Sequence, residues 1–368
     1  MAIPNLSALP AVKTLEECAD FSQTVKPFLP QLYELPNKIL DNITNPQALL
    51  HVYVETNPLI FGFAVSIFLA AVFLVVAELN RNWSQVDRAW SILPNLYIGH
   101  LALWARLAGV PSERIEFVLA ATTLWSARLT YNYARKGGYS IGSEDYRWVI
   151  VRSKVPAWAF FILSVTFIAF IQSILLFALS AGPGYIILLT SYFEPEVNTS
   201  DSAYCMIMLA LVVSEYISDG QQWAYQEAKR RYLKDAKDAK VPEGYTQADL
   251  DRGFITSGMW SYSRHPNFAA EQLIWFVLYQ WSCYASRVIT SWAFGGIVSL
   301  MLIFQGSTWL TERISKGKYS EYKHYQANVA AFMPTTLAPY KPAGPPQPKI
   351  IKTSELAEKQ SKKQKRSN

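Results

Sequence analysis

Cysteine, histidine and charge are all scarce in this chain of 368 residues, which holds 3 cysteines and 4 histidines. Cys18, Cys205 and Cys283 lie far apart, so a disulfide-stapled scaffold, a CxxC motif and a Cys/His zinc site are excluded. Charged residues make up only 17%, against 51% hydrophobic and 14% aromatic, for a net charge of +6. A disordered chain shows the reverse balance. No Walker loop, GxGxxG or internal repeat is found. The N-terminus has no basic n-region, apolar h-region or cleavage site, so no signal peptide is expected. Neither a metal nor a nucleic acid is an expected partner.

What is present is long apolar runs. Crossing about 30 Å of hydrocarbon takes roughly 20 apolar residues in a helix. Pro58–Leu79 has no charge before Glu78, and Ala157–Leu179 has no charge and one amide side chain, Gln172. Trp90–Ala108, Phe117–Ala134, Ala203–Trp223, Leu273–Ala285 and Val288–Leu310 carry internal polar residues and give weaker spans. The fold class expected is therefore all-α, a polytopic membrane helix bundle of about seven transmembrane helices. Gly184–Phe193 is too short to cross; it either extends the fourth span or re-enters.

Charge asymmetry orients the spans. Arg135–Lys154, the loop after the fifth span and the chain after Leu310 are basic, whereas Ser180–Ala203 lacks Lys and Arg and holds Glu194, Glu196 and Asp201. The same acidic loop carries an Asn198-Thr199-Ser200 sequon, a lumenal feature. An odd number of spans then places the C-terminus in the cytosol. Three segments are expected: residues 1–57, lumenal and amphipathic; 58–335, the bundle; and 336–368, a disordered basic tail ending KKQKRSN. That ending suits retrieval to the endoplasmic reticulum and equally a solvated tail drawn to anionic lipid.

Ionisable groups inside spans are costly, so each is a site candidate. Glu215, Asp219, Gln222 and Gln226 recur at helical spacing on one face. Such a stripe faces either a watery cavity or a hydrogen-bonded helix seam; two carboxylates exceed what a seam needs and favour the cavity. Trp125, Arg128, Tyr131 and Asn132 repeat the pattern, and an Arg so deep wants a carboxylate or a phosphate. Glu144, Asp145 and Arg147 follow at the cytosolic face. Asp87-Arg88 reads as an interfacial anchor or as part of a site. The densest signal is Gly258–Glu271 (GMWSYSRHPNFAAE), with Arg264, His265, Asn267 and Glu271 within eight residues of one another. Pro266 there starts a new helix. A helix N-terminus flanked by Arg and His suits an anion. The competing reading is a positive interfacial anchor.

This motif resembles the C-terminal signature of the steroid 5-alpha-reductase superfamily, G-x-W-x-x-S/R-R-H-P-N-Y-x-x-E. DRAWSILP (87–94), WSARLTYNYARKGGY (125–139), EDYRW (144–148) and TERISKGKYSEYKHYQANVAAFMP (311–334) resemble that superfamily's branch of unknown function. The Arg-His-Pro element alone is also similar to isoprenylcysteine methyltransferases and sterol reductases. Phe268 stands where the signature has Tyr, and Ala270 where it often has Gly. The resemblance implies a bundle holding NADPH from its cytosolic half and a hydrophobic lipid substrate deeper in the membrane. By position, Asn267 and Asp219 match cofactor contacts, Tyr262 and Glu271 match positions beside the cofactor, and Arg128 and Tyr131 match an Arg-x-x-Tyr pair of the same wall. Trp125 stands where a substrate-anchoring Tyr is expected.

The leading expectation is NADPH-dependent reduction of a carbon–carbon double bond in a lipid or a steroid- or isoprenoid-like substrate. The nicotinamide supplies hydride, and a donor stabilises the enolate. Asp87, if burial keeps it protonated, and Tyr131 are the catalytic candidates. The cofactor phosphates call for cations, and Arg135, Arg147, Arg230, Arg231 and Arg264 are available. The alternatives are an S-adenosylmethionine-dependent methyltransferase and a non-catalytic lipid-binding protein.

Overall fold

The protein was analysed as a computed structural model that describes residues 7–234 and 241–342. Part of the predicted basic tail, 343–368 with its KKQKRSN ending, lies outside the described residues, as do Lys237 and Lys240. The described residues are helical, with no strand among them beyond an isolated bridge between Ser263 and Ala330. The all-α expectation is met.

Three short helices come first: α1 (Phe21–Thr24), α2 (Gln31–Asp41) and α3 (Pro46–Glu55). Then follow α4 (Pro58–Asn80), α5 (Gln85–Ala89), α6 (Leu93–Ala108), α7 (Glu113–Arg135), α8 (Tyr146–Arg152), α9 (Ala157–Leu163) and α10 (Gln172–Thr190). The remainder are α11 (Thr199–Lys234), α12 (Gln247–Arg252), α13 (Pro266–Ala285), α14 (Phe294–Lys318) and α15 (Tyr322–Asn328). Local chemistry sets several starts. Asn57 caps α4, its Oδ1 accepting from the Leu59 and Ile60 amides, with Pro58 in the first turn. Asp145 caps α8 in the same way. The chain restarts as helix at Pro266, as its fixed φ and missing N–H predict.

Among the described residues, four helices are long and apolar enough to cross a membrane: Pro58–Asn80, Ala157–Thr190, Thr199–Lys234 and Phe294–Lys318. These correspond to four of the seven expected spans, although the last helix starts at Phe294 where the span was expected from Val288. The other three are helices too, but α6 has only 16 residues, and α7 and α13 carry the polar groups described below. Gly184–Phe193 does not re-enter. α9 and α10 form one rod through a π-helical stretch, Ser164–Ile171, and the rod continues to Thr190. At 1.5 Å per residue it is about 50 Å long, well beyond the hydrocarbon thickness. Its last eleven residues are buried throughout. That burial explains why Gly182-Pro183-Gly184 continues as helix: a Cβ on Gly184 would meet Ile98 at 2.6 Å, so the small residue admits α6.

The chain divides into two compact units, residues 1–219 with 267–310, and residues 220–266 with 311–368. In the first, α10 is central and packs on α4, α6 and α7. Gly296 of α14 approaches α10 so closely that a Cβ would lie 2.8 Å from the backbone of Ala178 and Leu179. The N-terminal residues are not a body apart, because Ala8, Leu9, Val12, Cys18 and Val25 join this core. In the second unit, Tyr225, Leu250, Ile255 and Trp260 form one cluster and Phe254, Tyr322, Tyr325 and Val329 another.

One ion pair closes an end of the first unit. Arg114 grips Asp201 with two bonds, 2.9 Å from Nε and 2.8 Å from Nη2, with both side chains only 1% exposed. Thr190 Oγ1 lies 3.0 Å from Arg114, while Trp281 donates to Asp201 at 2.7 Å. Four helices, α7, α10, α11 and α13, thus meet at one fully bonded pair. Removing one member strands a buried charge. Asp201→Ala is expected to lower stability by about 3–5 kcal/mol, read as unfolding in detergent.

Candidate functional site

The second half of α7 turns one face inward, and that face carries Trp125, Arg128 and Asn132, all buried. Opposite it in the same unit are Glu215 and Asp219 of α11 and Asn267 and Glu271 of α13. The Arg128 guanidinium lies 2.6 Å from Glu215, 3.0 Å from Asp219 and 3.5 Å from Glu271. Asp219 also accepts from Asn132 at 2.7 Å and from Asn267 at 3.1 Å. Glu271 accepts from the indoles of Trp125 at 2.8 Å and Trp275 at 3.0 Å.

Three carboxylates therefore share one guanidinium, at a place where burial leaves few waters to compensate them. The donors around them explain how that is tolerated: two indole N–H groups and two side-chain amides each take a carboxylate lone pair. Asn267 Oδ1 and Arg128 Nε are buried without a hydrogen-bond partner. Such orphaned groups cost about 1–3 kcal/mol each. Glu215 and Asp219 were read as favouring a watery cavity; in the structure both are paired across a helix seam. Trp125, where a substrate-anchoring Tyr was expected, serves Glu271 instead. Trp275 was not anticipated, since a Trp in an apolar run gives no sign that its N–H is used.

The two motif blocks DRAW and EDYRW meet elsewhere in the same unit. Trp148 donates to Asp87 at 2.8 Å, and the Asp145 amide donates to Ser84 at 2.8 Å. Glu144 accepts from the Trp83 amide, and Arg88 donates to the Ser143 carbonyl at 2.7 Å. Arg147 forks onto Asp145 and reaches Ser307 at 3.0 Å. This arrangement matches the anchor reading of Asp87-Arg88. Burial pushes the Asp87 carboxyl above the usual range, with the nearby Arg147 pulling it the other way. Tyr131 does not join Arg128: it points off the inward face, 57% exposed, beneath the Arg135 guanidinium.

The second unit holds Tyr262, Arg264 and His265. Tyr262 ends the 3-10 turn Gly258–Ser261. The Arg264 and His265 amides bond the Ala330 and Ala331 carbonyls at 2.9 and 3.0 Å. The anion these two side chains attract is internal. Glu312 takes Arg264 Nε at 2.6 Å and His265 Nε2 at 3.0 Å, and also accepts from Gln326 at 2.8 Å. Arg264 Nη2 also reaches Glu312 at 3.2 Å, and Nη1 bonds the Gln326 and Val329 carbonyls. Glu312 stands at the front of the TERIS block, but only the fold reveals its role.

NADPH would need acceptors and donors for amide and hydroxyl groups, and cations for its phosphates. Asn267 and Asp219 supply the first, with the free Asn267 oxygen as a ready acceptor. The second is met less directly, because Arg128, Arg147 and Arg264 all hold carboxylates of this chain. Among the described residues, no group of three or more His, Cys, Asp or Glu is placed to hold a metal ion.

Fold and cluster together define a helical membrane protein with a buried polar centre. The chain belongs to the family described as protein of unknown function (DUF1295), which matches residues 73–329. An uncharacterized protein of Schizosaccharomyces pombe is 38% identical over 328 residues, covering 89% of this chain and 93% of that one. No solved structure matches. The family match takes in every residue of the Arg128 cluster.

The cluster sets two expectations for stability. Arg128→Ala leaves three carboxylates without their cation, and a loss of about 3–5 kcal/mol is expected. Tyr131→Phe should stay within about 0.5 kcal/mol of the parent, as a surface change does. Thermal unfolding in detergent compares the two directly.

Proposed function

We propose that the chain is a membrane-embedded, NADPH-dependent reductase of a carbon–carbon double bond in a lipid or a steroid- or isoprenoid-like substrate, within the steroid 5-alpha-reductase superfamily. The observation that carries this reading is the Asn267–Asp219 contact. The two residues that match cofactor positions come from separate helices and bond each other at 3.1 Å, beside an unpartnered Asn267 oxygen. Asn267 and Asp219 would hold the amide or hydroxyl groups of the cofactor. Glu271, with Trp125 and Trp275 fixing its orientation, keeps Arg128 in place behind them. When bound, the cofactor supplies hydride to the electron-poor carbon of the substrate. In this reading the matching proton comes from the chain. Asp87 is the candidate donor, its carboxyl raised by burial and oriented by the Trp148 indole, whereas Tyr131, exposed and turned off the inward face, does not suit the role.

In this proposal seven helices cross the membrane of the endoplasmic reticulum, with the basic segments and the C-terminus in the cytosol. The contrast between the acidic Ser180–Ala203 stretch and the basic segments supports that orientation.

The charge balance at Arg128 favours a second reading, a membrane methyltransferase using S-adenosylmethionine. That donor is cationic at sulfur and carries an ammonium, so excess carboxylate suits it better than it suits phosphates.

Melting the full chain in detergent with NADPH, NADH or S-adenosylmethionine separates the two. The reductase reading expects stabilisation by NADPH, about 2.7 kcal/mol at a hundredfold excess over Kd. Asn267→Ala should reduce that gain. Stabilisation by S-adenosylmethionine alone overturns the reductase and supports the methyltransferase. Silence from all three ligands overturns both and leaves lipid binding without chemistry.

A further inference from the structure

Helix α2 is apolar around more of its circumference than the protein covers. Leu35 is buried, with Leu32 and Ile39 partly so, and this face packs on α4. Next to it, Leu29, Tyr33, Pro36, Leu40 and Ile43 recur at intervals of three and four residues, forming one continuous ridge along the helix and its two flanks. That ridge is bare. Tyr33 is 82% exposed, and Leu40 and Ile43 are each 62% exposed. On the remaining side Glu34 and Lys38 pair at 2.8 Å, with Asp41 beyond them. The helix thus has three sectors, one against protein, one apolar and open, and one charged.

Its height is also fixed. The Asn57 amide, at the cap of α4, donates to Gln31 Oε1 at 2.8 Å, and Asn57 Nδ2 donates to the Ala8 carbonyl and the Tyr185 hydroxyl. The start of α2 is therefore tied to the point where α4, an apolar helix long enough to cross, begins. The open side of α4 carries Phe68, Val72, Val75 and Leu79, a surface for lipid tails. The α2 ridge lies near the start of that apolar helix, at the end opposite Leu79.

The geometry points to α2 as an in-plane interfacial helix whose Leu29–Ile43 ridge is seated in the bilayer surface. An interfacial helix buries one apolar face just below the headgroups and leaves its polar face in water. Tyr33 has the ring and hydroxyl that favour this depth. The polar sector holds nearly balanced charge, so the attachment rests on apolar burial and not on anionic lipid. The inference is independent of whether the chain is a reductase.

The test uses full-length protein in phosphatidylcholine vesicles, spin-labelled in turn through Leu40→Cys, Ile43→Cys and Lys38→Cys. The native cysteines are buried. Each labelled variant is first required to melt with the parent. The expected result is several-fold greater collision with oxygen, relative to a water-soluble nickel complex, at positions 40 and 43 than at 38. Replacing part of the phosphatidylcholine with phosphatidylserine should leave those ratios unchanged. Equal water access at all three positions overturns the inference. Protection at 40 and 43 that disappears on dilution into more lipid also overturns it, and assigns the ridge to a second copy of the chain.

Discussion

A guanidinium inside a membrane bundle must be matched, and Arg128 shows what that demands. Taking an ion out of water costs several kcal/mol even after relaxation. Here the cost is offset by Glu215, Asp219 and Glu271, and their surplus negative charge is in turn offset by two indoles and two amides. The result links α7, α11 and α13 of the first unit through a network in which Arg128, Asp219 and Glu271 each meet three others. Networks of this kind specify register, since shifting one helix by a residue would unpair several groups together. The Arg114–Asp201 pair does the same at another place in that unit, with every strong donor and acceptor used. The difference between the two is informative. Arg114 leaves nothing over, whereas the Arg128 network leaves Asn267 Oδ1 and Arg128 Nε open. Unused polar atoms in a buried network set it apart from a pair whose bonds are complete.

The second unit uses the same physics for a different end. Arg264 and His265 look in isolation like an anion-binding pair, and the anion turns out to be Glu312. With the backbone bonds from Arg264 and His265 to Ala330 and Ala331, this holds the chain after α15 onto the Arg-His-Pro turn. The turn is thus a clasp built from the segment that precedes α13 and the segment that follows α14. The DRAW and EDYRW blocks make a comparable clasp in the first unit, through Trp148 on Asp87.

Much of this was legible in advance. The helical class, the long apolar helices and the restart at Pro266 follow from hydropathy and from the covalent limits of proline, which act locally. The Glu215–Asp219 and Trp125–Arg128–Asn132 stripes were legible as stripes because helical periodicity is local too. Their meeting was expected through the resemblance, whereas the choice of a paired seam over a cavity was not legible. Tyr131 illustrates the limit. It lies three residues from Arg128, close enough to be grouped with it, yet the helix turns it outward.

The sequence by itself determined which segments are helical, which of them are apolar enough for lipid, and which faces carry charge, because each is set by residues within one or two turns. Only the tertiary structure decided the partners: Glu312 for Arg264, Asp201 for Arg114, Trp148 for Asp87, and three carboxylates for Arg128. Those pairings join residues many turns apart in the chain, and electrostatic matching in a dry interior depends on distance in space, which no linear spacing records.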